Sequence, residues 1–393
     1  METKNYINSY LRLSTLALVL VALPAHAQTA DDEVDPEEQT VLDDSPFISP
    51  RADGMAGAIS ALADGTDANY YNPAGIGGIH EQKTNKSLIR KFYFIYAGLS
   101  INQNSYDTNK EMQQSGAASD ATIGSAIIDT QKGERQFTRV SLTPNFGIGR
   151  LNFGPIYDMQ LAAVPVGDDT DLVDMHYQEK VGLGMGLSVA DPKGRLYLGA
   201  YATYLNIRDV NGRFLYTEMV DKQARQDAIK DDTSRYSGLG TNVGLLWKIA
   251  DPGKPSLAVV ARNLNDTRYS KVKGDGDELV AKEDLNVGFA VSPRLGKVGF
   301  FNFSIEGGHL SDESVEVNKK WRTGIELNFG DNGSESIFGL RAGGSQAGAA
   351  FGAQINLWLL GIQYANFPVD VGIENKRMIE RRQSAVLSVN LAE

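Results

Sequence analysis

From about residue 86 to the C-terminus, apolar and non-apolar positions alternate with period two. Val181, Leu183, Met185, Leu187 and Val189 share one face of a segment whose other face is Gly182, Gly184, Gly186 and Ser188. Leu239, Thr241, Val243, Leu245, Trp247 and Ile249 alternate with Gly240, Asn242, Gly244, Leu246 and Lys248. Trp321, Thr323, Ile325, Leu327 and Phe329 alternate with Arg322, Gly324, Glu326 and Asn328. Successive side chains of a β-strand point to opposite faces, so period two predicts strands. The pattern yields about fourteen of them, near 87–101, 137–149, 151–165, 174–190, 195–208, 234–250, 255–264, 284–293, 297–310, 319–329, 336–344, 347–357, 359–367 and 382–391. Many exceed the five or six residues usual in soluble sheets. They suit the ~9–11 residues of a tilted membrane strand with some extension beyond the bilayer.

The connections alternate in length. Asp191 to Gly194, Asp251 to Pro255 and Ser292 to Lys297 are tight, whereas 102–136, 209–233, 265–283 and 368–381 are long and polar. Outer-membrane barrels pair short periplasmic turns with longer external loops, and an even strand number brings both chain ends to the periplasm. The connection at Ser345 to Ala347 is shorter than its external side calls for. Within 209–233, the stretch FLYTEMVDKQARQDAIKDD reads as a short surface helix with a solvated charged face. Tyr197, Tyr201, Tyr204, Phe300, Phe301, Trp321, Phe329, Trp358 and Tyr364 lie near strand ends or on apolar faces, as interfacial girdles do. The expected fold is all-β: an antiparallel transmembrane barrel of about fourteen strands. A soluble β-protein alternates in the same way, but it does not account for strand length and loop alternation together.

Residues 1–27 read as a signal peptide. Lys4 and Arg12 supply charge, Leu13 to Leu23 the apolar stretch, and Ala25-His26-Ala27 a cleavage site before Gln28. Residues 28–50 are acidic and proline-containing, the composition of a flexible tether. Residues 51–85 open with RADGMAGAISALADGTDANYYNPAG, too poor in large apolar residues to build a core of their own. Residues 86–393 form the barrel. Without the signal, 36 basic residues stand against 48 acidic ones, a net charge near −12 that argues against nucleic acid as a partner. The chain has no cysteine, which removes lipoprotein anchoring, disulfides and thiol chemistry.

The run R-A-D-G-M-A-G-A-x5-D-G-T-D-A-x3-N-P-A-G resembles the N-terminal pattern of FadL-like outer-membrane proteins. That family includes transporters of long-chain fatty acids and aromatic hydrocarbons, and relatives of the PorV and TraF types in secretion and conjugation systems. The resemblance implies a hatch that plugs the lumen, carried here by Arg51, Gly54, Met55, Gly57, Ala58, Ala63, Asp64, Asn72, Pro73, Ala74 and Gly75. Small residues let backbone fit a narrow interior, and Asn72 before Pro73 favours an extended turn. Asp64 is placed to pair with an inward-facing arginine or to cap a helix over Met55 to Leu62. Two features depart from the pattern. The acidic tether precedes the hatch, which favours a PorV- or TraF-like relative, and the last strand ends Leu-Ala-Glu without a terminal aromatic.

Catalytic chemistry finds no footing. His80, His176 and His309 lie far apart and not at metal-ligand spacing, and Asp168-Asp169 and Asp231-Asp232 sit in expected external loops. Gly182, Gly184 and Gly186 form a strand face and not a dinucleotide loop, because no helix follows. No enzyme, cofactor or metal is expected, and the sequence does not locate a ligand pocket. Two functions remain: passive transport of hydrophobic small molecules such as long-chain fatty acids, or a non-transporting role in a secretion or conjugation system. The expected partners are outer-membrane lipids, a hydrophobic ligand or secretion-system proteins, with the barrel a monomer.

Overall fold

The computed structural model describes residues 42–76, 89–106, 134–166, 172–215, 233–249, 254–274, 277–296, 298–313, 315–331, 336–357, 359–372 and 378–390. Two short helices come first, α1 (Pro50–Gly54) and α2 (Asp67–Tyr71). Strand segments follow: β1 (Ile89–Asn102), β2 (Gln136–Leu142), β3 (Asn145–Ile148), β4 (Leu151–Val166), β5 (Leu172–Ala190) and β6 (Leu196–Leu215). Next are β7 (Ser234–Lys248), β8 (Ser256–Arg262), β9 (Thr267–Lys273), β10 (Leu279–Ala281), β11 (Asp284–Val291) and β12 (Gly299–Gly307). The last five are β13 (Trp321–Asp331), β14 (Ser336–Ser345), β15 (Gly348–Leu357), β16 (Leu360–Asp370) and β17 (Ile379–Asn390).

The segments join into one antiparallel wall of fourteen strands. β2 and β3 both pair with β1 and with β4, so they are one strand interrupted at Thr143-Pro144. Proline has no N–H for the ladder, which explains the interruption. β8 and β9 both lie against β7, and their neighbours across the wall are β11 and β10, so these too are halves of two strands. Asn263, Asn265 and Asp266 adopt positive φ at that break, as Asn and Asp tolerate better than other residues. β1 pairs with β17 from Leu99↔Ala385 to Ser100↔Ser384 and beyond, and this closes the barrel.

The expected strands are present, with three differences. The 137–149 segment is kinked. Part of the expected 265–283 loop is strand, because β9 and β10 carry the wall onward past the break. β6 runs to Leu215 and takes the start of the expected surface helix; the rest of that stretch lies outside the described residues. At Gln346-Ala347 a tight hairpin joins β14 to β15, with Ser345 opposite Gly348.

Alternation sorts the two faces. Leu183 and Leu239 are 65% and 63% exposed on the outer surface. Tyr204, Trp321 and Tyr364 join them there, as girdle residues would. Tyr197 and Tyr201 do not: they share the inward face of β6 with Gly199 and are fully buried. Trp358 lies outside the described residues. No described helix is long and apolar enough to cross a membrane.

Residues 42–76 run through the interior, against inward faces from most of the wall. Their backbone approaches so closely that two wall positions exclude any side chain. A Cβ on Gly343 would lie 2.3 Å from the Met55 carbonyl carbon, and one on Gly199 would lie 2.2 Å from that of Pro73. The neighbouring Gly344 faces outward, and its nearest atom would be Thr323 Oγ1 at 3.6 Å. Gly343→Val should therefore destabilise the folded barrel by about 1–3 kcal/mol or more, and Gly344→Val should be close to neutral. Unfolding of the purified variants measures both.

Candidate functional site

The interior of the barrel is the candidate site, and the N-terminal segment occupies it. Its local structure follows from capping. Ser49 caps α1 by accepting the Ala52 N–H at 3.1 Å, and Pro50 opens the helix, where its missing N–H costs nothing. The Ser49 hydroxyl in turn donates to Asp67 in α2 at 2.7 Å, tying the two helices together. Asn72 ends α2 in extended backbone, and its side chain then holds the Asn-Pro turn. Its amide donates to the Ser60 carbonyl at 2.8 Å and its oxygen accepts the Ala74 N–H at 3.0 Å.

Between the helices the chain does not form the helix expected over Met55 to Leu62. Ala56 and Gly57 take left-handed conformations (φ 53° and 86°), which stops α1. The amides of Ile59 and Ser60 are bound instead by one wall carboxylate. Glu306 Oε2 accepts both, at 2.9 and 2.8 Å, and Oε1 accepts the Ser60 hydroxyl at 2.8 Å. A charged acceptor makes stronger hydrogen bonds than a carbonyl, so Glu306 displaces the helical pattern locally.

Arg51 makes the second clamp. Its Nε and Nη2 donate to the two carboxylate oxygens of Glu326 at 3.0 Å each. Nη1 donates to Asp64 at 2.6 Å and lies 3.6 Å from Asp67. Glu326 also accepts from Arg341 Nε and from Asn302, both at 2.8 Å. The expected arginine partner of Asp64 is thus the segment's own Arg51, and the wall contributes the carboxylate.

A third clamp holds residues ahead of the expected 51–85 boundary. Asp43 receives Arg382 Nη1 on both carboxylate oxygens at 3.1 Å and Arg139 Nη1 at 3.0 Å. Gln160 pairs with the Asp43 backbone N–H and carbonyl, and the Lys180 ammonium donates to the carbonyls of Asp43 and Asp44 at 2.8 Å. Burial by itself would raise the Asp43 carboxyl, but Arg382, Arg139 and Lys180 outweigh it and lower it to about 2. Residues 42–50, expected as tether, are packed in the interior.

Beside these polar clamps lies an aromatic cluster. Phe47 stacks on Tyr70 with centroids 4.3 Å apart and on Tyr96 at 5.1 Å. Tyr70 meets Tyr201 edge-on at 5.3 Å, and the Tyr201 hydroxyl donates to that of Tyr70 at 3.3 Å. Tyr93, Ile48 and Val386 complete the cluster. It borders the interruption between β2 and β3, where the Thr143 N–H donates to the Tyr96 carbonyl at 2.9 Å.

The residues named from the sequence all lie on this interior segment. Met55 is fully buried against Gly324 and Gly343, and Gly54 lies against Gly352. Gly57 lies beside Arg322, Pro73 and Ala74 against Gly199, and Gly75 against the Ala63 carbonyl. Ala58 and Ala63 are buried, whereas Asp64 is partly exposed. Sequence reading missed Asp43, Phe47, Ser49, Ser60, Asp67 and Tyr70, and on the wall Glu306, Arg341, Arg139, Lys180 and Arg382. His176 and His309 each face a separate aspartate, Asp209 at 3.0 Å and Asp284 at 3.4 Å; His80 lies outside the described residues.

No protein-family model and no curated protein matches the chain in sequence. Solved structures do match in fold. A ΔS2S3 mutant of the TodX monoaromatic hydrocarbon channel aligns with a TM-score of 0.51 and 13% identity, over 87% of this chain and 98% of that one. The Pseudomonas putida toluene transporter TodX aligns at 0.47 and 12%, over 87% and 97%. The Ralstonia pickettii toluene transporter TbuX aligns at 0.47 and 10%, over 88% and 98%. The shared fold rests on the first of these. These neighbours are transport channels and not enzymes, and the fourteen-stranded barrel expected from the alternation along the chain is the fold found.

One buried group in the segment titrates near neutrality. Burial pushes the Asp53 carboxyl up to about 7 from its ordinary 3.8, and Asp43 adds to the rise. The Ser384 hydroxyl, donating at 2.6 Å, and Arg139 and Arg382 oppose it. A carboxyl with a raised folded-state pKa favours the folded protein below the unfolded value, and that stability is lost as pH rises through the folded one. Wild-type protein should therefore lose stability between about pH 4 and pH 7, and Asp53→Asn should lack this part of the loss. The variant's relative gain at pH 8 should be at most about 4 kcal/mol. Thermal unfolding at pH 5 and pH 8 checks the sign.

Proposed function

We propose that this chain is an outer-membrane barrel in which residues 42–76 act as a hatch, and that it passes hydrophobic small molecules across the membrane. The outward apolar face and the expected signal peptide, cleaved after Ala27, support the location. The observation that carries the transport reading is the aromatic cluster of Phe47, Tyr70, Tyr96 and Tyr201. It is an apolar patch of stacked rings at the seam between hatch and wall, beside an interrupted strand and among the charged clamps. Phe47 occupies the place an apolar ligand would take on Tyr70 and Tyr96. Displacing residues 42–49 would expose those rings and open a path along the seam. Affinity and the concentration gradient drive passage. The fold shared with a monoaromatic hydrocarbon channel supports the same reading, and the substrates in view are long-chain fatty acids or similar hydrophobic compounds.

A second reading is favoured by the clamps. Asp43, Arg51, Glu306 and Glu326 fasten the hatch at three levels with charged hydrogen bonds, an arrangement suited to a permanent seal. In that case the barrel is a non-transporting platform in a secretion or conjugation system, of the PorV or TraF type, and its loops meet protein partners.

The two readings separate in a strain that depends on this protein. Under the transport reading, Phe47→Ala and deletion of 51–75 should each change uptake of labelled toluene or oleate. Unchanged uptake of both compounds, with loss of a secreted or transferred protein, would overturn it in favour of the platform.

A further inference from the structure

On the outer face of the wall, one row of cross-strand neighbours is cationic. Arg208 of β6 stands opposite Arg235 of β7, and Arg235 stands opposite Lys273 of β9. Adjacent strands lie about 4.8 Å apart, so the three charges fall within roughly 10 Å. Cross-strand neighbours of like charge repel, and a sheet does not gain from such a row on its own account. The three side chains face away from the interior, which is filled from these strands by the buried Leu205, Ile207 and Tyr236.

None of the three makes an ion pair or hydrogen bond with the described residues. Arg208 Nε is buried without a partner. Glu179 of β5 stands opposite Arg208 in register, but it is hydrogen-bonded to the Tyr157 side chain. A guanidinium has five donors, and leaving them unused in a half-buried position is costly unless a ligand takes them up.

The height of the row identifies that ligand. On β5 the exposed lipid-facing residues are Val189, Leu187, Met185, Leu183 and Val181, and the next outward position is Glu179, at the level of the row. Ten residues at ~3.3 Å, tilted by ~40°, rise about 25 Å, the height of the apolar band in such barrels. The row therefore sits where hydrocarbon gives way to headgroups, at the end opposite the Asp191 to Gly194 turn. Directly beneath it, Val181, Leu183 and Leu239 offer apolar surface to acyl chains.

We propose that Arg208, Arg235 and Lys273 bind the phosphate groups of a lipid in the outer leaflet. This rests on the outer-membrane reading and is independent of whether the barrel transports. Guanidinium and ammonium groups spaced in this way match a phosphorylated sugar headgroup, with arginine taking phosphate in bidentate fashion.

The test uses the full-length protein purified in neutral detergent, with lipid A, dephosphorylated lipid A or inorganic phosphate added. Folding is read from the faster migration of the unheated barrel on gels, and stability from the temperature at which that form is lost. Lipid A should raise the wild-type midpoint by a few degrees. The R208Q/R235Q/K273Q variant should fold and lose the shift. An equal shift in the variant, an equal shift from dephosphorylated lipid, or an equal shift from inorganic phosphate would each overturn the proposal. Should the triple variant fail to fold, the exposed single variant R235Q carries the comparison, with a reduced shift expected and an unchanged one contradictory. A wild-type chain that shows no heat-sensitive migration would sink the membrane reading itself, and the lipid site with it.

Discussion

A barrel of fourteen strands is too wide for its own side chains to fill. Everything else in this structure answers that constraint. The chain fills the space with residues 42–76, a segment rich in small residues whose backbone touches the wall directly. Gly199 and Gly343 are the places where this contact is closest. Backbone packed that tightly carries N–H and C=O groups away from water, and each must find a partner.

The wall supplies those partners as ionised carboxylates and guanidinium groups. Glu306 takes two backbone amides and a hydroxyl, Glu326 takes Arg51, and Arg139, Lys180 and Arg382 close around Asp43. Buried ion pairs of this kind contribute little net stability, because both ions lose their water. Removing one partner is another matter, since the ion left behind has nothing to replace it, at about 3–5 kcal/mol. The clamps therefore fix position more than they add stability. They register the segment against the wall, beside the aromatic cluster around Phe47.

The barrel was legible because its signal is local. Alternation along β5, β7 and β13 marks inward and outward faces residue by residue, and it already placed Glu326 among the polar residues facing inward. The same alternation puts Tyr197 and Tyr201 with Gly199, and reading these tyrosines by type instead of by parity led to the wrong face. Residues 42–50 were unreadable for a different reason. Their acidic composition is that of a tether, and the three cations that capture Asp43 come from β2, β5 and β17, far apart in sequence. The helix expected over Met55 to Leu62 fails on the same ground: its competitor, Glu306, lies more than two hundred residues away. The break after Arg262 left a faint trace in Asn263, Asn265 and Asp266, residue types that accept left-handed backbone.

Transport and sealing differ in whether residues 42–76 ever leave the wall, but both begin from a segment locked to it by charge. Hydrogen exchange at the Ile59 and Ser60 amides of the purified barrel tests that starting point. With Glu306 holding both, they should exchange as slowly as paired strand amides such as that of Leu327. Exchange at the rate of an exposed loop, in a barrel that otherwise stays protected, would contradict the account.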